Sequence, residues 1–160
     1  MFKPIRIKIN EIDHSAAEAL LQSNRRGIIA MNGVEGYPYA IPINYFYDCD
    51  NKKIYFHGAK SGHKIDAIKN NSKVSISIID QEDVIEEELT TYFRSIILFG
   101  KAKILQDDDE IYQAVNALGL KYCNDEVAVE KEIQREWKNL CCVEITIEHL
   151  TGKQAIELVK

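Results

Sequence analysis

The sequence predicts a mainly β protein, an antiparallel barrel with helices on its flanks. About six short apolar or alternating segments follow one another along the chain, most at short intervals. Polar or glycine-containing turn signals separate some of them, as at residues 32–33 and 48–51. Alternating strand–helix units with the glycine pattern of a dinucleotide-binding fold are absent, so a parallel sheet is not expected.

The predicted strands follow from alternation and from branched and aromatic content. Pro38 and Pro42 lie inside one of them and cannot donate to a ladder, so that strand is expected to be an edge, bulged or interrupted. Gly100 predicts a bend in the longest strand. The six strands are placed at residues 27–31, 37–47, 53–57, 75–78, 91–105 and 141–147.

The predicted helices flank these strands. The first begins at a cap formed by Asp13 or Ser15, and the third ends at Gly119. The acidic stretch 81–90 predicts a solvated loop. The helices are placed at residues 13–24, 60–70, 108–119 and 125–138.

The length and net charge of the chain indicate a single domain and argue against two classes of partner. A chain of 160 residues fits one domain spanning 1–160. The net charge of −5 argues against a nucleic-acid binder or an anionic membrane surface as partner. No segment resembles a signal peptide or a membrane span, so the cytoplasm is the expected compartment.

The four cysteines have no metal-binding spacing. Cys141 and Cys142 are adjacent, so in a strand they point to opposite faces. Reduced, partly buried thiols are expected, and no metal site is predicted.

Residues 55–64 form the richest candidate site, a strand followed by a glycine-containing turn and a helix start. Such a turn presents free backbone N–H groups and the positive end of a helix dipole. Two histidines, two lysines and a serine surround it, which fits a phosphate site. Equally, Ser61 can be an ordinary helix N-cap, with Gly58 and Gly62 as turn residues.

Two further segments are candidates. The proline-broken strand 37–45 leaves backbone groups unpaired that a planar heterocycle could bind, although an ordinary edge strand explains it as well. Arg94 is a lone cation entering an apolar strand, where it faces an anion, an aromatic ring or an acidic ion-pair partner. No nucleophile triad can be assembled from the sequence.

Four motifs occur in a known order: residues 36–45 (GYPYAIPINY), 54–64 (IYFHGAKSGHK), 73–77 (KVSIS) and 90–102 (TTYFRSIILFGKA). Together they resemble the 5-nitroimidazole resistance (Nim-type) branch of the pyridoxamine 5′-phosphate oxidase-like FMN-binding split barrels. The resemblance covers roughly residues 5 to 150. One departure is Gly62–His63, where true pyridoxamine phosphate oxidases carry a double-basic phosphate pair.

The resemblance implies a six-stranded antiparallel split barrel and a homodimer with FMN at its interface. It places the flavin ring against Ile41, Pro42, Ile43 and Asn44. It places the phosphate near Ser61, His63 and Lys64, with His57, Gly58 and Ala59 lining the pocket. Tyr92, Arg94 and Ser95 form a further wall of the site, from the same or the other subunit.

The expected activity is FMN-dependent reduction of a small aromatic acceptor, with a nitroimidazole as one candidate and His57 delivering the proton. A flavin- or haem-binding carrier or sensor without turnover is the alternative. Haem is the rival cofactor, with His57, His63 or His149 as iron ligand. A dimer is also expected because Tyr39, Tyr45 and Tyr47 would otherwise form an exposed apolar patch.

Overall fold

The computed structural model describes all residues from Met1 to Lys160 and is built around one antiparallel sheet of eight strands. The strand order is β3-β2-β6-β7-β8-β5-β4, with β1 paired to β8. The strands are β1 (Glu11–Ile12), β2 (Arg26–Asn32), β3 (Pro38–Asn44), β4 (Phe46–Asp48), β5 (Lys53–Ala59), β6 (Lys73–Ile85), β7 (Thr90–Ile104) and β8 (Leu140–Gln154).

The sheet curls round without closing. Its two end strands, β3 and β4, are consecutive in the chain and are joined by Tyr45 alone. The two edges therefore lie next to each other without pairing, which makes the molecule a split barrel. The expected count of six strands is wrong, because the predicted strand 37–47 breaks at Tyr45 and because the two-residue β1 adds an eighth.

Tyr45 interrupts the strand because its side chain is drawn into the core. The residue has no exposed surface, and its hydroxyl donates a 2.6 Å hydrogen bond to the carbonyl oxygen of Leu21. Tyr47 is also buried, and Tyr39 packs against the core. The expected exposed tyrosine patch is therefore wrong; two of its three members belong to the barrel interior.

The prediction of an edge strand at the two prolines is confirmed, since β3 pairs only with β2. The turn between β2 and β3 begins at Gly33, the second residue of the predicted turn signal, because β2 ends at Asn32. The Gly33 amide donates to the Tyr37 carbonyl and closes the turn, in which Gly36 adopts φ +85°. That left-handed conformation favours glycine.

Four helices accompany the sheet: α1 (His14–Ser23), α2 (His63–Asn70), α3 (Asp108–Tyr122) and α4 (Glu126–Glu136). α2 inserts Ile65, Ala67 and Ile68 into the barrel core. α3 and α4 cover the outer side of β5 and β8 and form a second apolar cluster with Cys142. Cys141 belongs to the barrel core, so the two adjacent cysteines do point to opposite faces.

Two predicted element ends are wrong. Gly119 does not end α3 but lies inside it, where an added Cβ would meet Val129 Cγ1 at 2.6 Å, so the glycine permits close contact between α3 and α4. The predicted loop 81–90 is strand as far as residue 85, because β6 continues as a long ribbon paired with β7.

Other expectations agree with the structure in part. The predicted bend at Gly100 coincides with a shift of the β7–β8 register between Phe99 and Gly100. Asp13 occupies the N-cap of α1, but its carboxylate binds the Ser15 hydroxyl instead of a backbone amide. No helix has the length and apolar character needed to cross a membrane.

Candidate functional site

The end of β5 divides its side chains between two environments. Phe56 lies in the barrel core, whereas the alternate residues Tyr55 and His57 face the helices α3 and α4. The strand ends at Ala59, and residues 60–62 lead into α2. One turn therefore connects a residue facing the helices with the start of a helix that plugs the barrel.

His57 lines a cavity of about 360 Å³ between the barrel and the helical pair. Asn44, at the end of the edge strand β3, lines the same cavity. The cavity therefore has walls from both β3 and β5, the strands on either side of the split. Most of the other walls are apolar and come from α3, α4 and the start of β8. They include Val115, Leu118, Gly119, Val129, Ile133 and Leu140, with Tyr122, Glu132 and Glu136 as polar members.

The surroundings of His57 keep its imidazole neutral. Desolvation lowers the pKa of His57 below 6.5, and the nearby Lys64 ammonium lowers it further, while Glu132 acts in the opposite direction. At neutral pH the ring is therefore uncharged, able to donate one hydrogen bond and accept another.

Lys64 crosses directly over Gly58. A Cβ added to Gly58 would meet Lys64 Nζ at 2.6 Å and Cε at 2.9 Å. The missing side chain of Gly58 is thus what allows the lysine to reach the end of β5. Lys64 is half-buried and forms no ion pair, so its ammonium is available to an anion.

The start of α2 has no side-chain cap. Gly62, at φ +132°, occupies the N-cap position in place of Ser61, and no side chain accepts from the first turn. The backbone amides of Ile65 and Asp66 donate to the Gly62 carbonyl, which leaves the preceding amides of His63 and Lys64 without a partner there. An anion at this point would meet free amides, a helix dipole and a lysine.

His63 stands on the other side of this turn. Its ring stacks on Tyr39 of β3 with the centroids 4.0 Å apart and the planes within 10°. This contact joins the start of α2 to the edge strand.

The outward edge of β3 offers more acceptors than donors. The hydrogen bond between Gly33 and Tyr37 sets the alternation of the β2–β3 ladder. Alternate residues then turn their backbone groups away from β2, and because two of them are prolines, fewer amides than carbonyls point outward. These residues are Pro38, Ala40, Pro42 and Asn44. Such an edge can bind a planar heterocycle with its own donor and acceptor groups.

The side chains of Ile41 and Ile43 face inward, and Pro42 and Asn44 are exposed. The structure brings Asn44 and His57 to one cavity, Lys64 over Gly58, and His63 against Tyr39 of β3. Ala59 and Ser61 lie between the β5 and α2 members of this group in the chain.

Tyr92, Arg94 and Ser95 are not part of this group within one protomer. His57 lies opposite Cys142 on β8. Arg94 lies opposite Gln154, twelve residues farther along the same strand, or roughly 40 Å of extended chain. Arg94 binds Asp80 at 3.3 Å and Gln154 at 3.4 Å, the ion-pair arrangement that its sequence left open, and the Tyr92 hydroxyl donates to Glu88.

The end of α3 contributes residues to this region that sequence reasoning missed. The Tyr122 hydroxyl accepts from the backbone amide of Tyr45 at 3.2 Å and donates to the carbonyl of Arg25. Lys121 donates to the carbonyls of Asn24 and Tyr45 and sits 4.0 Å from the Tyr45 ring centroid. Burial lowers the pKa of Lys121 to about 8. The helical period alone does not show that this end of α3 reaches the split.

Comparison with known proteins places the chain in a family. The family model described as pyridoxamine 5′-phosphate oxidase matches residues 13–154. No curated protein matches the chain.

Several solved structures share the fold. A proposed 5-nitroimidazole antibiotic resistance protein from Bacteroides thetaiotaomicron is 22% identical, with a TM-score of 0.72 over 90% of this chain and 86% of that one. An FAD-binding protein from Mesorhizobium loti is 19% identical, with a TM-score of 0.63 over 91% and 96%. The flavocytochrome Anf3 from Azotobacter vinelandii is 16% identical, with a TM-score of 0.75 over 95% and 72%. With the family model spanning most of its length, the chain belongs to the pyridoxamine 5′-phosphate oxidase-like family.

Proposed function

We propose that the chain binds FMN at the split of the barrel and reduces small aromatic acceptors. The observation that carries the proposal is the convergence of three features at one place. The uncapped start of α2 with the unpaired Lys64, the open edge of β3, and the cavity lined by His57 all lie at the same end of the molecule.

Each part of the cofactor has residues that suit it. Lys64 and the free amides at the start of α2 suit a single phosphate, with Ser61 and His63 beside them. The outward carbonyls of Pro42 and Asn44 and the outward amide of Asn44 suit the polar edge of the flavin ring. FMN is proposed over FAD because the chain has one phosphate-sized turn and no dinucleotide fingerprint.

When bound, FMN would supply the redox chemistry, passing electrons or a hydride to the acceptor. The protein would position that acceptor. The cavity beside His57 is largely apolar and has no lysine or arginine in its walls, which suits a neutral aromatic compound. His57 is the one imidazole on that cavity, so we propose that it hydrogen-bonds the acceptor and delivers the proton.

A nitroimidazole is the specific acceptor we propose. It is neutral, aromatic and small enough for this cavity, and a structural neighbour is a proposed 5-nitroimidazole antibiotic resistance protein.

We further propose that the protein acts as a homodimer. The outer face of β2, β6 and β7 carries Ile28, Ile97 and Phe99, all exposed, and the strand register puts them on the same side of the sheet. Exposed apolar side chains on one sheet face favour association, here with the small side chains of Ser75 and Ser77 between Ile28 and the β7 residues. A second copy packed there would also offer a route for Tyr92, Arg94 and Ser95 to approach a flavin that lies far from them in their own protomer.

The experiment that tests the activity is anaerobic. Protein loaded with FMN is reduced, mixed with a nitroimidazole, and followed by flavin absorbance and by product analysis. Flavin reoxidation is expected, with an amine formed when the reduced flavin is in at least threefold excess over the nitroimidazole, because reduction of a nitro group to an amine takes six electrons and each reduced flavin supplies two. Flavin that stays reduced across a panel of nitroaromatics and quinones would refute the reductase proposal.

Binding without turnover is the second candidate. The observation behind it is His149, whose buried Nε2 has no hydrogen-bond partner and whose ring is stacked on Phe2. The structural neighbour Anf3 is a flavocytochrome. Titration with haem distinguishes the two, since a haem spectrum lost in His149→Ala would support this candidate.

A further inference from the structure

Two cavities lie along the α3–α4 pair, one on each side of Leu140, and they differ in charge. The cavity of His57 has Glu132 and Glu136 in its walls and no cation. The second cavity, of about 300 Å³, lies between α2 and the start of α3. Two lysines, Lys60 and Lys69, line it. The two cavities therefore suit different ligands.

The lysines of the second cavity have no anionic partner. Neither Lys60 nor Lys69 takes part in an ion pair or a side-chain hydrogen bond, although the chain has a net charge of −5. Burial raises the pKa of the Cys141 thiol at the cavity wall, and the charges of Lys64, Lys69 and Lys60 act against it, in that order. Asp108 is the one carboxylate in the lining, so cations outnumber anions there.

The remaining walls are apolar and include an aromatic ring. Trp137, the only tryptophan of the chain, is half-buried at this cavity, with Ile111 beside it. An indole face next to two free ammonium groups can hold an aromatic ring and the negative charge attached to it.

We propose that this second cavity binds a small aromatic anion, a ring that carries one phosphate or carboxylate group. The ring lies against Trp137 and Ile111, and the anionic group is held by Lys60 and Lys69. The cavity adjoins the proposed flavin site, since Lys60 belongs to the turn between β5 and α2, and Cys141 of the lining pairs with Gly58. Lys64 is directed over Gly58 and does not line this cavity, so the proposed anion is held by other lysines than the proposed FMN phosphate.

Trp137 provides the measurement, since it is the only tryptophan of the chain and lines this cavity. FMN-loaded protein is titrated with phenyl phosphate, with AMP and with benzoate, and with neutral benzyl alcohol in parallel. Calorimetry on the same samples measures the affinity. We expect saturable binding of at least one of the anions with a change in Trp137 emission, and none for the alcohol. Binding of AMP without binding of benzoate would identify a nucleotide site. Binding of benzoate without binding of AMP would identify a site for aromatic carboxylates.

The variant Lys60→Gln/Lys69→Gln should bind the same anion with an affinity at least tenfold lower than that of the wild type. Its matched control, Lys3→Gln/Lys131→Gln, removes two exposed, unpaired lysines elsewhere and should leave the affinity unchanged. Both variants replace exposed residues, and circular dichroism checks that they fold. The proposal is overturned if none of the anions binds the wild type, if both variants lose affinity equally, or if excess FMN displaces the anion together with its effect on Trp137.

Discussion

Gly58 is the residue at which a local packing constraint and the proposed cofactor site coincide. Alanine at this position would place its methyl group 2.6 Å from Lys64 Nζ, which is too close for both to stay where they are. The lysine can swing away because its end is flexible, so we expect Gly58→Ala to fold normally and to bind FMN about tenfold more weakly. Fluorescence titration of FMN measures the affinity, and thermal unfolding checks the fold.

A double-mutant cycle shows whether that loss passes through the lysine. If Gly58→Ala acts by displacing Lys64, the substitution should have no further effect on FMN affinity in a Lys64→Ala background. Additive losses in the double variant would mean that Gly58 contributes in some other way, for example by close approach of the ligand to the backbone.

The pKa of His57 should respond to the cofactor. Burial and the Lys64 ammonium both lower it in the free protein. A phosphate bound to Lys64 would cancel the second effect, so we expect FMN or inorganic phosphate to raise the pKa of His57. An NMR titration of the His57 ring measures this shift, and its absence in Lys64→Ala is the control. If FMN leaves the pKa of His57 unchanged, the phosphate does not bind Lys64 in the way proposed.

The same shift has a consequence for stability. The pKa of His57 is lower in the folded than in the unfolded chain, so the unfolded state binds more protons between those two values. Stability contributed by the neutral ring is therefore present above pH 6.5 and is lost as the pH falls through the lowered pKa. His57→Gln should remove this part of the acid sensitivity.

At this scale the sequence indicated the local structure of residues 55–64 but not its detail. The residue types there predicted a strand, a glycine-containing turn and a helix start, and the structure has all three. The cap at Gly62 instead of Ser61, and the path of Lys64 across Gly58, depend on backbone geometry that residue types do not encode.

The end of α3 is the element that stabilises the split. Tyr45 joins the two edges of the sheet, and its backbone amide has the Tyr122 hydroxyl as its partner. In Tyr122→Phe that buried amide loses its acceptor, at a cost of about 1–3 kcal/mol in the free energy of unfolding. Urea denaturation measures the loss.

Tyr112→Phe is the matched control for that variant. Tyr112 lies on the same helix, is exposed, and bonds only to Glu130. Its substitution should leave the midpoint of unfolding unchanged. Equal destabilisation by both variants would mean that Tyr122 matters for the helix and not for the split.

Elements with clear periodicity were predicted well from the sequence, and long-range contacts explain the failures. Alternation located the strands, and the prolines identified β3 as an edge. The break at Tyr45 arises from burial of its side chain against Leu21, and Gly119 remains helical because Val129 of α4 packs over it. Neither contact is visible in local sequence.

At the scale of the whole molecule, the exposed sheet face predicts the assembly. Phe99→Glu would put a charge on the sheet face that also carries Ile28 and Ile97. We expect this variant to sediment as a monomer where the wild type is a dimer. Val127→Glu, which charges an exposed position on α4, is the control and should leave the wild-type sedimentation unchanged. A wild-type protein that is a monomer with FMN bound would contradict the dimer.

The assembly is also where sequence reasoning could not succeed. Tyrosine composition suggested a patch at residues 39, 45 and 47, but closure of the barrel buries two of these rings and leaves the outer isoleucines and Phe99 exposed. Which face of a strand becomes the outside is set by the curl of the whole sheet.

The central claim is that the turn between β5 and α2 holds the phosphate of FMN, and the most direct measurement is FMN affinity in Lys64→Ala. The control is Lys73→Ala, an exposed lysine without an ion pair on β6. The account predicts stoichiometric FMN binding by the wild type and by the control, and a loss of about 1.5–3 kcal/mol in Lys64→Ala, which is roughly ten- to a hundredfold in affinity. Unchanged FMN affinity in Lys64→Ala would contradict the account.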